Sequence, residues 1–320
     1  MTEMTEFTPS ERVEEVTRAD PYAAFATRPW DDPAWDPPAE ALAVPTMLTE
    51  EEGRLLHWLG ASWAEGAGAI CDLGCFAGGS TARLAAGTAA NPGKTGPIHA
   101  FDFFTISPEH KQKFLYDNGV PRFWGSNLLP CARRLLTPWE DRVDLHKTDI
   151  ADEHWQGGPI EILFVDAMKT PATGDAILRS FFPALIPGRS VIVHQDYQHW
   201  RQPWIPAQMQ MLAHALRPIA WCARNTVVFG VDHLPPQVEL ASAAMAEISD
   251  QRMTLLLQRA VKAAPKGHAR RVLAQMILAL EDRPDCRIPR LYDRSGFTPE
   301  RIRATIRQAL HGDLSIGETP

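Results

Sequence analysis

The stretch Ala69-Ile70-Cys71-Asp72-Leu73-Gly74-Cys75-Phe76-Ala77-Gly78-Gly79-Ser80-Thr81 restricts the fold of this chain more than any other. An apolar run ends in an acidic residue, passes through a glycine turn and opens an Ala/Leu-rich segment. Glycine lets the backbone turn sharply and approach a ligand with no side chain between them. A helix that opens there points unpaired N–H groups at whatever lies over the turn. The stretch therefore reads as strand, turn and helix, the first βα unit of a nucleotide-type site. Its spacing, Asp72-x-Gly74-x-x-x-Gly78, is neither the Gly-Lys-Ser/Thr of a phosphate-cradling loop nor a G-x-G-x-x-G.

The rest of the middle of the chain repeats the pattern. Apolar runs at 69–72, 98–103, 143–147, 161–166, 190–195, 218–222 and 226–231 alternate with helical segments near 80–88, 108–116, 124–136, 172–184 and 204–216. Alternation of this kind predicts an α/β fold with a mainly parallel, doubly wound sheet and helices on both faces. The last two runs are joined only by Ala223-Arg224-Asn225. A parallel pair needs a dozen or more connecting residues, so the last strand should be antiparallel. Thr49-Glu50-Glu51-Glu52 is a capping box, opening a helix with Leu55, Leu56, Leu59 and Trp63 on one face.

Three regions follow. Residues 1–47, rich in Pro, Asp, Glu and Trp, are expected to form an extended arm lying on the domain, because Trp30 and Trp35 are poor residues to leave in water. Residues 48–235 form the α/β domain. Residues 236–320 are expected to form a helical appendage of about three helices, interrupted at Pro265-Lys266-Gly267 and around Arg283-Pro284-Asp285. Its stripes, Val272, Leu273, Met276, Ile277, Leu280 and then Ile302, Ile306, Leu310, would be core, a lid over a substrate site, or a homodimer interface.

Composition narrows the function classes. The 320 residues are 45% hydrophobic, yet no apolar run approaches the roughly 20 residues of a membrane span. Met1-Thr2-Glu3-Met4-Thr5-Glu6 lacks the features of a secretion signal. Cysteines 71, 75, 131, 222 and 286 have no Cys-x-x-Cys spacing and read as free thiols in a reducing cytoplasm. A net charge of −7 argues against nonspecific nucleic-acid binding. Residues 1–52 carry thirteen acidic and three basic side chains, whereas Arg259 to Arg307 is basic. These are either two solvated faces or ends that meet within a subunit or across a dimer.

A second acidic residue, Asp102, closes the run Pro97-Ile98-His99-Ala100-Phe101-Asp102, where a carboxylate can accept from both hydroxyls of a ribose. The order of these features resembles class I S-adenosylmethionine-dependent methyltransferases over roughly Thr49 to Asp232. The resemblance implies a Rossmann-like seven-stranded sheet and S-adenosylmethionine as cofactor. It implies that the loop Asp72, Gly74, Cys75, Phe76, Gly78, Ser80, Thr81 lies under the methionine half. By the same token Asp102 would bind the ribose, Asp149 would lie near the adenine, and Phe103 and Asp166 would belong to the cofactor site.

Within that family the chain is similar to the macrocin O-methyltransferase-like sugar methyltransferases and to the catechol-type enzymes. There, acids at the ends of strands 4 and 5 hold a divalent ion such as Mg²⁺, which binds the substrate oxygens and lowers the pKa of the hydroxyl. The matching residues are Asp166 and Asp196. The pattern departs in that Gln195 and His194 precede Asp196, and Lys169 places an ammonium beside the ion. A metal-free arrangement uses the same residues. His194 takes the proton, Asp166 or Asp196 orients it, and Lys169 pairs with a carboxylate or an anionic substrate. Alternatively, His194 is a hydrogen-bonded histidine at a strand end, and His199, Trp200 and Trp204 are loop, core or pocket wall.

The resemblance thus implies methyl transfer to an oxygen of a sugar or natural-product acceptor, with a small molecule rather than nucleic acid or membrane as partner. Two rivals stay open. An NAD(P)-dependent oxidoreductase would share the fold and the strand-2 carboxylate. However, G-x-G-x-x-G is missing, and none of Tyr22, Tyr116, Tyr197 and Tyr292 has lysine four residues later. A noncatalytic S-adenosylmethionine-binding assembly subunit would use the C-terminal helices for docking.

Overall fold

The computed structural model describes residues 20–91, 93, 97–222 and 224–312; residues 1–19 of the expected arm lie outside the described residues. Seven strands form one sheet: β1 Ala69–Leu73, β2 Ile98–Asp102, β3 Val143–Lys147, β4 Ile160–Val165, β5 Val191–His194, β6 Leu216–Trp221 and β7 Val227–Val231. Their order is β3-β2-β1-β4-β5-β7-β6. The first five strands run parallel, and β7 is antiparallel to both β5 and β6. This is the expected doubly wound, Rossmann-like sheet, with the antiparallel last strand that so short a connection, 222–226, demands.

The helices are α1 Ala39–Leu42, α2 Glu50–Trp58, α3 Gly79–Ala90, α4 Pro108–Phe114, α5 Leu129–Leu135, α6 Pro171–Ser180, α7 Trp204–Met211, α8 Gln237–Ser242, α9 Asp250–Ala263, α10 His268–Asp282 and α11 Pro299–His311. Both faces of the sheet are covered, so the central strands β4 and β5 are buried along their whole length and do not alternate between buried and exposed. Ile70, Ile162, Phe164, Val191 and Val193 pack under α2, α3 and the N-terminal segment. On the other face Leu73, Leu163, Val165 and Ile192 meet α6, α7 and the C-terminal helices. The capping box at Thr49 is formed from both sides, Thr49 Oγ1 accepting the Glu52 N–H and Glu52 accepting the Thr49 N–H.

Three elements differ from expectation. Helix α5 starts at Leu129, because a start at 124 would put Pro130 in a helix interior, where its ring meets a backbone carbonyl. Residues before it run as a loop, with Asn127 bridged to Thr105. Helix α7 ends at Met211, since Leu216 already pairs with Val231 in the sheet. The described part of the arm is not extended but a series of single 3₁₀ turns, Ala23–Thr27, Pro29–Asp31 and Pro33–Trp35. The last two begin on proline, whose fixed φ suits the first position of a helix.

That segment is held by aromatic packing. Trp30 is fully buried, 5.8 Å from Phe25 and 5.2 Å from Trp58 between ring centroids. Tyr22 Oη accepts the Val231 N–H at 2.8 Å and donates to the Val231 carbonyl at 2.9 Å, tying the arm to β7. Trp35 is only half buried.

At the other end the expected breaks fall between α9 and α10 and after α10. Leu256, Leu257, Val261, Leu273, Met276 and Ile277 of α9 and α10 are buried in the same core as β4 and β5. The stripe of α10 is therefore covered within the chain, whereas Ile306 and Leu310 of α11 are only half buried. Among the described residues, the basic C-terminal segment pairs with its own neighbours, Arg287 with Asp250, Arg301 with Asp282 and Arg303 with Glu300. None of the five cysteines forms a disulfide among the described residues, and four of them are buried. Among the described residues no helix is long and apolar enough to cross a membrane.

Candidate active site

The carboxyl ends of β1, β2, β4 and β5 open onto a cavity of about 620 Å³. Open α/β sheets present their ligand crevice at this edge. Gly74 makes the first wall. Its φ is +92°, and a Cβ there would lie 2.8 Å from the Asp166 carbonyl oxygen, so only glycine lets the β1 turn lie against the end of β4. Beyond it Phe76, at φ +52°, turns its N–H onto Asp102 Oδ2 at 3.0 Å.

Asp102 is thereby fixed. Its Oδ1 accepts the Phe104 N–H at 2.6 Å, and desolvation pushes its carboxyl pKa up while the two amides oppose the shift. A carboxylate offers about four acceptor sites, so two remain for a ligand. Phe103, 56% exposed, lies beside it on the cavity wall. Asp149 caps the turn Ile150–Asp152, accepting the Ala151 N–H at 2.9 Å, and lines the cavity with Ile150 and Ala151.

A recess of about 30 Å³ adjoins the cavity through Gly74, Phe76 and Asp166, and Cys75 and Ser80 line it. Its roof is the segment Pro45 to Leu48, with Met47 shared by both spaces. Three of the expected loop residues stand behind these walls. Gly78 packs against Leu136. Asp72 is fully buried beneath the start of α3, where its Oδ2 accepts from Ser80 Oγ at 2.7 Å and from Thr81 Oγ1 at 2.6 Å. Thr81 is likewise buried. Asp72 Oδ1 has no hydrogen-bond partner among the described residues, and burial pushes the carboxyl up to about 7.

The far end of the cavity holds three charges. Asp166 follows β4 and Asp196 follows β5, strands paired with Val165 opposite His194. Lys169 sits between the two carboxylates, its Nζ 2.6 Å from Asp166 Oδ1 and in hydrogen-bond contact with Asp196 Oδ2. Desolvation raises the Asp166 pKa against the pull of Lys169. Desolvation also works against the Lys169 charge, but the two carboxylates outweigh it and hold its pKa above the ordinary lysine value.

His194 must be corrected as a candidate base. Side chains alternate along a strand, so His194 shares a face with Ile192 and turns sideways into the core. The ring is fully buried against Phe229, with centroids 6.3 Å apart. Neither ring nitrogen has a hydrogen-bond partner among the described residues. Burial drives its pKa down to about 4. A neutral ring enclosed in this way does not reach an acceptor. Gln195, one residue on, faces the cavity instead, with its Oε1 2.6 Å from the Thr226 hydroxyl.

Trp204 is core, its Nε1 donating to the Met168 carbonyl at 3.0 Å, and Trp200 packs on Phe297. His199 is half buried, and burial lowers its pKa.

The donor set does not fit a divalent ion. Among the described residues no three His, Cys, Asp or Glu side chains are grouped to hold one. The position between the two carboxylates is taken by an ammonium. Unit charges about 4 Å apart interact at roughly 4 kcal/mol near a protein surface, and a dication doubles that repulsion.

Sequence reading did not find Met47, Thr170, Thr173 or Asn225, which also line the cavity. Thr170 is the N-cap of α6, accepting the Thr173 N–H, and its position before Pro171 was a usable signal. Met47 carries none.

No family model matches the sequence, and no curated protein matches it. Several solved structures resemble it in shape. Cofactor-bound Rv0187 from MTB is 18% identical with a TM-score of 0.41, over 69% of this chain and 93% of that one. CalS11, a TDP-rhamnose 3'-O-methyltransferase of calicheamicin biosynthesis, is 17% identical with a TM-score of 0.42, over 66% and 92%. An O-methyltransferase from Bacillus cereus in complex with SAH is 18% identical with a TM-score of 0.31, over 61% and 72%. With overlaps this small, the functional reading rests on the site's own geometry.

Proposed function

We propose that this protein is an S-adenosylmethionine-dependent methyltransferase acting on an oxygen of a small-molecule acceptor. One observation carries the reading. A single cavity joins a ribose-type carboxylate, Asp102, to a charged cluster, Asp166–Lys169–Asp196, across a glycine turn that keeps side chains out of the way. The residues present suit the cofactor: Asp102 has acceptor sites to spare, and Asp149 and Phe103 stand where adenosine would extend.

When bound, S-adenosylmethionine supplies a methyl group on a positively charged sulfur. The chain has to align donor and acceptor, exclude water and take one proton. Gly74, Cys75, Phe76 and Ser80 shape the methionine side, with Pro45 to Leu48 as roof, while Asp102 orients the ribose. Asp166 and Asp196 flank the acceptor end, and one of these carboxylates receives the hydroxyl proton as the oxygen attacks. His194 takes no part.

A cytoplasmic setting accords with five cysteines outside disulfides, and a sugar or natural-product acceptor accords with the cavity's size. The division into arm 1–47, methyltransferase domain 48–235 and helical region 236–320 belongs to the same reading. His268 Nε2 lies 3.2 Å from the Arg224 carbonyl, which sets the start of α10 beside the turn whose Asn225 lines the cavity.

Calorimetry decides between cofactors: S-adenosylmethionine should bind, and NADH and NADPH should not. Hydrogen bonds to a charged group contribute about 1.5–3 kcal/mol, so Asp102→Asn should weaken that binding roughly ten- to a hundredfold. Unchanged affinity would remove Asp102 from the ribose. Release of S-adenosylhomocysteine on turnover separates an enzyme from an assembly subunit.

A further inference from the structure

Given the acceptor site proposed above, we infer that the Lys169 ammonium occupies the place of a divalent cation, so that the site holds its acceptor without metal. Asp166 and Asp196 come from the ends of adjacent strands and face each other across the cavity wall. Lys169 arrives from the loop between β4 and α6 and hydrogen-bonds to both of them. An ammonium has three N–H donors. Two are used on the carboxylates, and the side chain is still 53% exposed to the cavity, leaving the third for a ligand oxygen.

A metal ion in this position would do three things: neutralise the paired carboxylates, bind the acceptor oxygen, and lower the pKa of its hydroxyl. The ammonium offsets one of the two carboxylate charges and can bind the oxygen, as a fixed point charge. It does the third more weakly, because it contributes one positive charge rather than two. Its stem also fixes where the oxygen sits, since Nζ is held from both sides. Lys169 is therefore a direct acceptor contact, and its two carboxylates are kept apart from solvent cations by a charge carried on the chain itself.

The test needs no acceptor. Manganese binding to the purified full chain, after dialysis against chelator, is read by electron paramagnetic resonance. The wild-type protein should hold no stoichiometric Mn²⁺ at this site. Lys169→Ala leaves two bare carboxylates and should bind one Mn²⁺ per chain at least tenfold more tightly than wild type. Adding Asp196→Asn should abolish that gain.

Lys169 is largely exposed, so the variant should keep its fold, which its circular dichroism and melting curve check. Two results would each overturn the proposal: tight, Asp196-dependent Mn²⁺ binding by the wild type, or no gain in Lys169→Ala. S-adenosylmethionine affinity, measured in parallel, should stay within about twofold in both proteins. Its absence in the wild type would fail the methyltransferase reading while leaving the manganese result to judge the cation site alone.

Discussion

Asp72 shows how one residue's role depends on where its strand points it. It lies at the end of β1 yet faces α3, where two hydroxyls of that helix's first turn hold one oxygen and the other has no partner among the described residues. Burial raises its pKa to about 7. The folded state thus binds this proton more tightly than the unfolded chain, whose aspartate titrates near 4. Asp72 favours folding below about pH 4, and that contribution disappears as pH rises through about 7. Asp72→Asn keeps the acceptor for Ser80 and Thr81 without a titrating group. Relative to the variant, the wild type should lose stability between pH 5 and pH 8, by an amount on the order of a few kcal/mol. Parallel melting curves at the two pH values measure this, and an unchanged difference would refute it. His194 is the companion case: a histidine at a strand end, buried against Phe229.

At the scale of elements, the roof over the glycine turn is the feature to probe. Residues Pro45 to Leu48 cross the start of α3 so closely that a Cβ on Gly79 would lie 2.6 Å from the Pro45 carbonyl oxygen. The obstacle is backbone, which cannot swing aside as a side chain would. Gly79→Ala should therefore lift the roof or strain the helix, at about 1–3 kcal/mol of stability as for other overpacked sites. Thermal unfolding should show a lower melting temperature, and calorimetry a weaker hold on S-adenosylmethionine. A variant with both values unchanged would show that the roof moves freely.

At the scale of the molecule, the C-terminal helices and the sheet share one core. Val165 and Ile192 of the sheet, Trp204 of α7, Leu256 of α9 and Met276 of α10 belong to one buried cluster. Asp175 of α6, itself buried, ties the linker down by accepting the N–H groups of Met245 at 2.7 Å and Ala246 at 2.9 Å. On the opposite face Tyr22 and Trp30 join the arm to the sheet. Sharing of this extent should make the chain unfold in one transition, with calorimetric and van't Hoff enthalpies equal. Two resolved transitions would show that residues 236–320 are an independent unit.

The linear sequence determined the seven strands, their parallel order with an antiparallel last member, and the acids and glycines at the strand ends. These follow from local rules: apolar runs long enough for a buried strand, caps and prolines that place helix starts, and a three-residue connection that forbids a crossover. It did not determine how far along each strand the sheet ends and the opening begins. Asp102, Asp166 and Asp196 reach the cavity while Asp72 and His194 do not, because Asp72, paired with Ala100 and Phe164, and His194 each sit two residues further back, within the sheet and not past its edge. The roof at Pro45 to Leu48 and the seat of the Lys169 ammonium between two carboxylates were likewise beyond it. Both join segments far apart in the chain, and only packing of the whole fold brings such segments within hydrogen-bonding distance.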